Sequence, residues 1–175
     1  LNLNSTIQTA GSYSLEVLKG SVSETSTFTV LPNKISSFNI NHRSFAVVNK
    51  TINILVIAVD AYNNTVSNYT NLVLLSPSGA NYEWFLGSTN LSNDYTFTSG
   101  TANLSFKAKT AGTLTLSFND SVESITTTSS LQVTESGFSI TPTTGIPGAL
   151  VTVTGSYYEP GTSITQITFG TSLAT

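Results

Sequence analysis

The stretch TAGTLTLSFNDSVESITTTSSLQV, residues 110–133, decides the fold. After the Thr-Ala-Gly turn, Leu114, Leu116 and Phe118 alternate with polar residues. A period of two places them on one face of a strand. A polar turn at Asn119-Asp120 follows, and then a second alternating run ends in Leu131 and Val133. Together they predict a β-hairpin with one buried face. Residues 9–30, TAGSYSLEVLKGSVSETSTFTV, repeat the design: the same Thr-Ala-Gly, then Tyr13, Leu15 and Val17, a turn at Lys19-Gly20, and a closing strand with Phe28 and Val30. The copies are offset by 101 to 103 residues, and ~100 residues is the length of one immunoglobulin-like sandwich.

The segments after the hairpins also correspond. LPNKISSFNI (31–40) and ESGFSITPTTGIPGALVTVTG (135–155) each resemble the opening strands of a new domain. The expected fold class is therefore all-β, with immunoglobulin-like sandwiches in tandem. Residues 1–30 are expected to be closing strands of one domain, 31–134 a complete sandwich, and 135–175 the opening strands of another. A half-sandwich alone exposes an edge and an apolar face, so neither end piece is expected to be stable unpaired. Two situations fit: a window cut from a longer tandem array, or a subunit whose ends complete a domain with a neighbour's ends. The second is a heterologous contact, which propagates head to tail.

Within 31–134 the alternation predicts strands at 35–40, 44–48, 51–60, 71–76, 82–86, 94–98, 102–108, 113–118 and 125–133. Turns are expected at Tyr62-Asn63-Asn64, Pro77-Ser78-Gly79, Ser99-Gly100 and Ala111-Gly112.

Only 9% of the 175 residues are charged, against roughly 25% in ordinary globular proteins. Ser, Thr and Asn fill about two fifths of the chain and must supply the polar surface. Six Lys and Arg, scattered under a net charge of −3, form no stripe for phosphates, so nucleic acid is not an expected partner. No run of 18 apolar residues is present, so no membrane-spanning helix is expected. Cys and Met are absent, which excludes disulfides and thiolate sites. A surface of hydroxyls and amides suggests the outside of a prokaryotic cell.

The segments VIAVDAYNNTVSNYTNLVLLS (56–76) and DYTFTSGTANLSFKAKTAGTLTLSF (94–118) resemble bacterial and archaeal immunoglobulin-like surface repeats. Asp60, Ala61, Tyr62 and Asn64 match the pattern, and Asn63 replaces its usual Gly. Residues 139–170 resemble the opening half of an IPT/TIG-type domain through Pro142, Gly145, Pro147, Gly148, Gly155, Pro160 and Gly161. The missing half resembles residues 1–30. A domain split between the chain ends is similar to the layout of archaeal surface filaments joined by strand complementation. The resemblance implies an extracellular, cell-surface setting; it implies no particular role.

Little points to catalysis. The lone histidine, His42, is expected in an exposed polar turn beside Arg43, with no triad around it. The nine carboxylates are dispersed, so no cofactor is expected. Asp60 is expected to cap the turn that follows it. Asp120 and Glu123 are the one place where Ca²⁺ is conceivable, but Ca²⁺ takes about 6–8 oxygens. Tyr82, Trp84 and Phe85 offer a sugar-stacking platform or core packing, and the single Trp favours the core. Tyr157 and Tyr158 are expected to pack at a domain junction. Lys107 and Lys109 share a strand face opposite Leu104, Phe106 and Ala108, which argues against an isopeptide crosslink to Asn.

Seven Asn-x-Ser/Thr sequons occur, at Asn4, Asn49, Asn63, Asn68, Asn90, Asn103 and Asn119. Asn63, Asn68, Asn90 and Asn119 are expected in turns or loops, and Asn103 at the start of a strand facing away from Leu104. All are candidates for N-linked glycans.

The reading that follows is a structural component of an extracellular filament or surface array. Its partners would be further copies or tandem neighbours, and N-glycans. The alternative is an adhesin or S-layer stalk, or a glycan-binding module of a larger secreted protein. An enzyme is not expected.

Overall fold

The computed structural model describes residues 5–79, 81–158, 168–169 and 172–173. Asn4, Pro160 and Gly161 lie outside them. No helix occurs among the described residues, and the chain forms two compact units, Leu1–Val133 and Thr134–Thr175.

The first unit begins with strands β1 (Gly11–Lys19) and β2 (Val22–Val30), which among the described residues pair only with each other. The sandwich follows, in strands β3 (Ile35–His42), β4 (Phe45–Val47), β5 (Thr51–Asp60), β6 (Leu72–Pro77), β7 (Tyr82–Leu86), β8 (Thr89–Leu91), β9 (Asp94–Thr96), β10 (Thr101–Ala108), β11 (Gly112–Asp120) and β12 (Ile125–Thr134). One sheet has the order β3-β5-β10-β7-β8 and the other β4-β12-β11-β6-β9. That is immunoglobulin topology: β3, β5, β10 and β7 take the A, B, E and D places, and β6, β11 and β12 take C, F and G. The all-β sandwich expected from the alternation is what the chain forms.

Alternation also explains the core. Ile52, Ile54 and Val56 point inward from β5, Leu104 and Phe106 from β10, and Leu116 and Phe118 from β11. Trp84 is fully buried, against Phe106 (ring centroids 4.7 Å apart) and edge-on to Phe118 (5.7 Å). It is core, not platform.

The chain enters and leaves the sandwich at opposite poles. Ile35 faces Asp60 at the end of β5, and Lys34 bridges at 2.5 Å to Glu123 in the turn after β11. At the other pole Val133 faces Gly112, the first residue of β11.

Several expectations need correction. The strand β8 was not foreseen, and it places Asn90 in a strand rather than a loop. Asn119 and Asp120 are the last residues of β11, not a turn, because Asp120 is drawn into the core by buried partners. The turns of the two hairpins fall at Gly20-Ser21 and at 121–124. Asn103 lies inside β10 rather than at its start. His42 ends β3 and is only partly exposed: its Nε2 meets Ser129 Oγ at 2.8 Å and its Nδ1 meets the Arg43 carbonyl at 2.7 Å. With the Phe38 amide donating to Thr127 Oγ1 at 3.1 Å, it stitches β3 to β12 along one side of the sandwich.

The second unit contains β13 (Gly137–Thr141) and β14 (Thr152–Ser156), an antiparallel pair, and the short strands β15 (Thr168–Phe169) and β16 (Ser172–Leu173).

Candidate assembly interface

The hairpin β1–β2 is a structural replica of β11–β12. Each pairs nine residues on nine, opening with Gly opposite Val: Gly11 with Val30 and Gly112 with Val133. The two-residue change of offset lies wholly in the turn, which has two residues in the first copy and four in the second. Cross-strand partners lie on the same face of a sheet. Tyr13, Leu15, Val17, Val22, Phe28 and Val30 therefore line one face of the first hairpin, with Lys19, Glu24 and Ser26 among them and Tyr13 stacked on Phe28 at 5.7 Å. The other face is Ser12, Ser14, Thr25, Thr27 and Thr29, with Glu16 and Leu18 among them.

The two copies differ in what covers them. Leu116, Phe118 and Leu131 are 0% exposed beneath the opposing sheet. Their counterparts Leu15, Val17 and Phe28 are 55%, 60% and 42% exposed. The first hairpin thus carries the apolar face of a sandwich half with no opposing half among the described residues.

β13–β14 has the same character at the opening end of a domain. Phe138 faces Gly155 and Ile140 faces Val153. In the sandwich, Phe38 faces Ala58 and Ile40 faces Val56. A Phe opposite a small residue, and an Ile opposite a Val two positions along, recur in both pairs. Phe38 is buried, whereas Phe138 is 69% exposed. Gly155 leaves room for the Tyr158 ring, since a Cβ there would meet Tyr158 Cδ2 at 3.0 Å. Tyr157 and Tyr158 are themselves half exposed.

The first hairpin is held firmly at its root. Asn64 Oδ1 accepts the Ala10 amide at 2.8 Å, and Asn64 Nδ2 donates to the Gln8 carbonyl at 2.7 Å. On the far side of the hairpin the Asn33 amide donates to Asp60 Oδ2 at 2.9 Å. Asp60 Oδ1 accepts the amides of Tyr62 and Asn64, both at 2.9 Å, so it caps the turn as its sequence position suggested. Burial alone would raise the Asp60 carboxyl. The donors from Asn64, Asn33 and Tyr62 outweigh it and hold the pKa down at about 2.

Asp120, fully buried, plays the matching part at the end of β11. It accepts from Tyr69 Oη at 2.6 Å, Asn71 Nδ2 at 2.9 Å, and the amides of Val122 and Glu123 at 2.8 and 3.1 Å. Burial raises its pKa, and these donors bring it below the usual value. Glu123 is engaged by Lys34. No group of three or more His, Cys, Asp or Glu placed to hold a metal ion occurs among the described residues. Lys107 and Lys109 both reach Glu83, Lys109 at 2.6 Å, and the two ammonium groups lower the Glu83 pKa.

The described sequon asparagines occupy varied places. Asn49, Asn63 and Asn68 are exposed in connections, Asn49 and Asn63 with positive φ. Asn90, Asn103 and Asn119 lie in strands.

No family model matches the chain, and no curated protein matches it in sequence. Solved structures match its fold. A glycosyl hydrolase family 2 member from Bacteroides cellulosilyticus is 12% identical, with a TM-score of 0.50 over 71% of this chain and 17% of its own. A family 2 β-glucuronidase is 14% identical, with a TM-score of 0.51 over 72% of this chain and 14% of its own. Domains 4–9 of the surface layer protein SbsC are 13% identical, with a TM-score of 0.45 over 83% of this chain and 24% of that one. The likeness to the hydrolases is one of fold alone, and this chain spans less than a fifth of their length. The SbsC likeness is too loose to bear on role.

Proposed function

We propose that this chain is a structural component of an extracellular filament or surface array, with sandwich units joined head to tail. In each joint the β1–β2 hairpin of one copy is covered by the β13–β14 hairpin of a second copy, as β11–β12 is covered within the sandwich. The observation that carries this is the matched register of β1–β2 and β11–β12 with opposite burial. Association of this kind packs two sheet faces against each other and interdigitates their inward side chains, as in a sandwich. Entry and exit at opposite poles favour growth along a line, since a heterologous contact that does not close makes a filament. The hydroxyl-rich, charge-poor surface suits the cell exterior.

The test is the association state of the full 175-residue chain and of its Leu15→Asp/Val17→Asp variant. Sedimentation and electron microscopy should show linear polymers for the first and monomers for the second, with Trp84 fluorescence unchanged. A chain that stays monomeric at high concentration, or a variant that polymerises normally, would overturn the reading.

A further inference from the structure

The three strand-borne sequons share a geometric property that the turn sequons lack. Asn103 is the cross-strand partner of Leu55, Asn119 of Leu74, and Asn90 of Phe85. All six side chains are on the outer faces of the sandwich. Asn103 lies between buried Ala102 and Leu104, Leu55 between Ile54 and Val56, Leu74 between Val73 and Leu75, and Asn119 between Phe118 and Asp120. Phe85 follows fully buried Trp84, so it too faces out. Leu55 and Leu74 are 40% and 45% exposed. Directly opposed residues on one face have Cβ atoms about 4.5–5.5 Å apart, within reach of the first sugar on an Asn side chain.

We infer that Asn90, Asn103 and Asn119 are N-glycosylated and that the proximal sugars on Asn103 and Asn119 lie over Leu55 and Leu74; the Phe85 ring beside Asn90 already carries the Lys107 ammonium, 5.3 Å from its centroid. The sugars thus form a cover for these two outer-face leucines. A pyranose ring has a C–H-rich face that packs on apolar side chains, while its hydroxyls face water. On a surface with few charges, that cover takes the place of Lys and Glu in keeping outer-face leucines from pairing with other copies. In a strand, Asn103 and Ser105 point to the same side, so amide and sequon hydroxyl are presented together.

The modification requires a polyprenyl-diphosphate-linked oligosaccharide and a transferase. The Asn amide nitrogen bonds to the anomeric carbon, the carbon–oxygen bond to the diphosphate breaks, and the amide proton is lost to base. The product keeps one amide N–H. At Asn119, Nδ2 donates to Thr126 Oγ1 at 2.6 Å, and the product retains one hydrogen on that nitrogen.

This inference rests on the surface placement proposed above but not on the joint between copies. The first test is glycopeptide mass spectrometry of the protein from its native source. Peptides with Asn90, Asn103 and Asn119 should carry hexose-type additions; unmodified asparagines at these three positions would overturn the inference while leaving polymer formation untouched. The second test compares glycosylated and sugar-free protein, both with Leu15→Asp/Val17→Asp so that the first hairpin does not contribute. Sugar-free protein should bind an apolar fluorescent dye several-fold more strongly, and Leu55→Thr/Leu74→Thr should remove most of the difference. Equal dye binding with and without sugar would refute the covering role.

Discussion

Asn64 Oδ1 accepts the amide of Ala10 at 2.8 Å, across 54 residues of sequence. Through this bond the turn after β5 grips the chain one residue before the exposed hairpin starts. Asp60, the last residue of β5, grips Asn33 just after the hairpin ends. The hairpin is therefore fixed to the sandwich at both roots. Asn64→Ala should release the Ala10 side. A typical hydrogen bond contributes about 1 kcal/mol, close to fivefold in an equilibrium. Hydrogen exchange at the Ala10 amide should quicken by about that factor, with amides of β10 and β11 unchanged.

The same grip should persist in acid. The folded-state pKa of Asp60 is depressed to about 2. A depressed carboxyl contributes stability that is fully present above the unfolded value, ~3.9, and is lost as pH falls through the folded one. Asp120 is shifted in the same direction. An NMR titration should find Asp60 still ionised at pH 3, with loss of Ala10 and Asn33 protection only near pH 2. Titration of Asp60 near pH 4 would show that the donors to its carboxylate are not held in solution.

Substitutions at two core positions separate packing from backbone geometry. Trp84→Ala removes the largest fully buried side chain, and large aromatic truncations cost about 3–5 kcal/mol. Trp84→Phe should cost far less, because the indole N–H has no acceptor to lose. Gly100 has φ +70°, and a Cβ there would meet the Val66 carbonyl oxygen at 2.1 Å. Its own amide donates to the Tyr69 carbonyl at 3.0 Å, so the backbone has little freedom to retreat. Gly100→Ala should therefore destabilise by more than about 2 kcal/mol, above the usual range for helix or strand glycines. Urea melts of the three variants check both points.

Tyr69 and Asp120 form a buried pair that links the segment before β6 to the end of β11. Hydrogen bonds to a charged group contribute about 1.5–3 kcal/mol. Tyr69→Phe should lose about that much, and the Asp120 pKa should rise towards the ordinary carboxylate value. A neutral effect on both would mean that Asn71 and the two amides satisfy Asp120 alone.

These particulars show where the sequence was legible. Period-two alternation located β5, β10 and β11 because each is central and buries one full face. β8 escaped because it is three residues long, with Leu91 its only apolar residue. Asn119-Asp120 looked like a turn because the pair favours turns. Distant donors, the Tyr69 hydroxyl 51 residues away and the Asn71 amide 49 residues away, satisfy Asp120 in the core. His42 looked exposed for the same kind of reason, since Ser129, its partner, is 87 residues distant. The candidate interface was legible because it is a repeat: residues 9–30 copy a hairpin whose burial is known from the second copy. The pairing of strand sequons with outward leucines required the register, which sequence spacing alone does not define.

The proposed joint has two different surfaces, and that allows a complementation experiment. Leu15→Asp/Val17→Asp spoils the first hairpin and leaves β13–β14 intact. Phe138→Asp/Ile140→Asp does the reverse. Each variant alone should be monomeric, because each lacks one half of every joint. Mixed together they retain one sound hairpin of each kind, so they should form a one-to-one dimer and stop there. Two like hairpins meeting in an isologous contact would behave otherwise: the variant with an intact first hairpin would dimerise alone and the mixture would add nothing. Sedimentation velocity on the separate and mixed proteins distinguishes the cases, and a dimer seen only in the mixture is the outcome that head-to-tail joining requires.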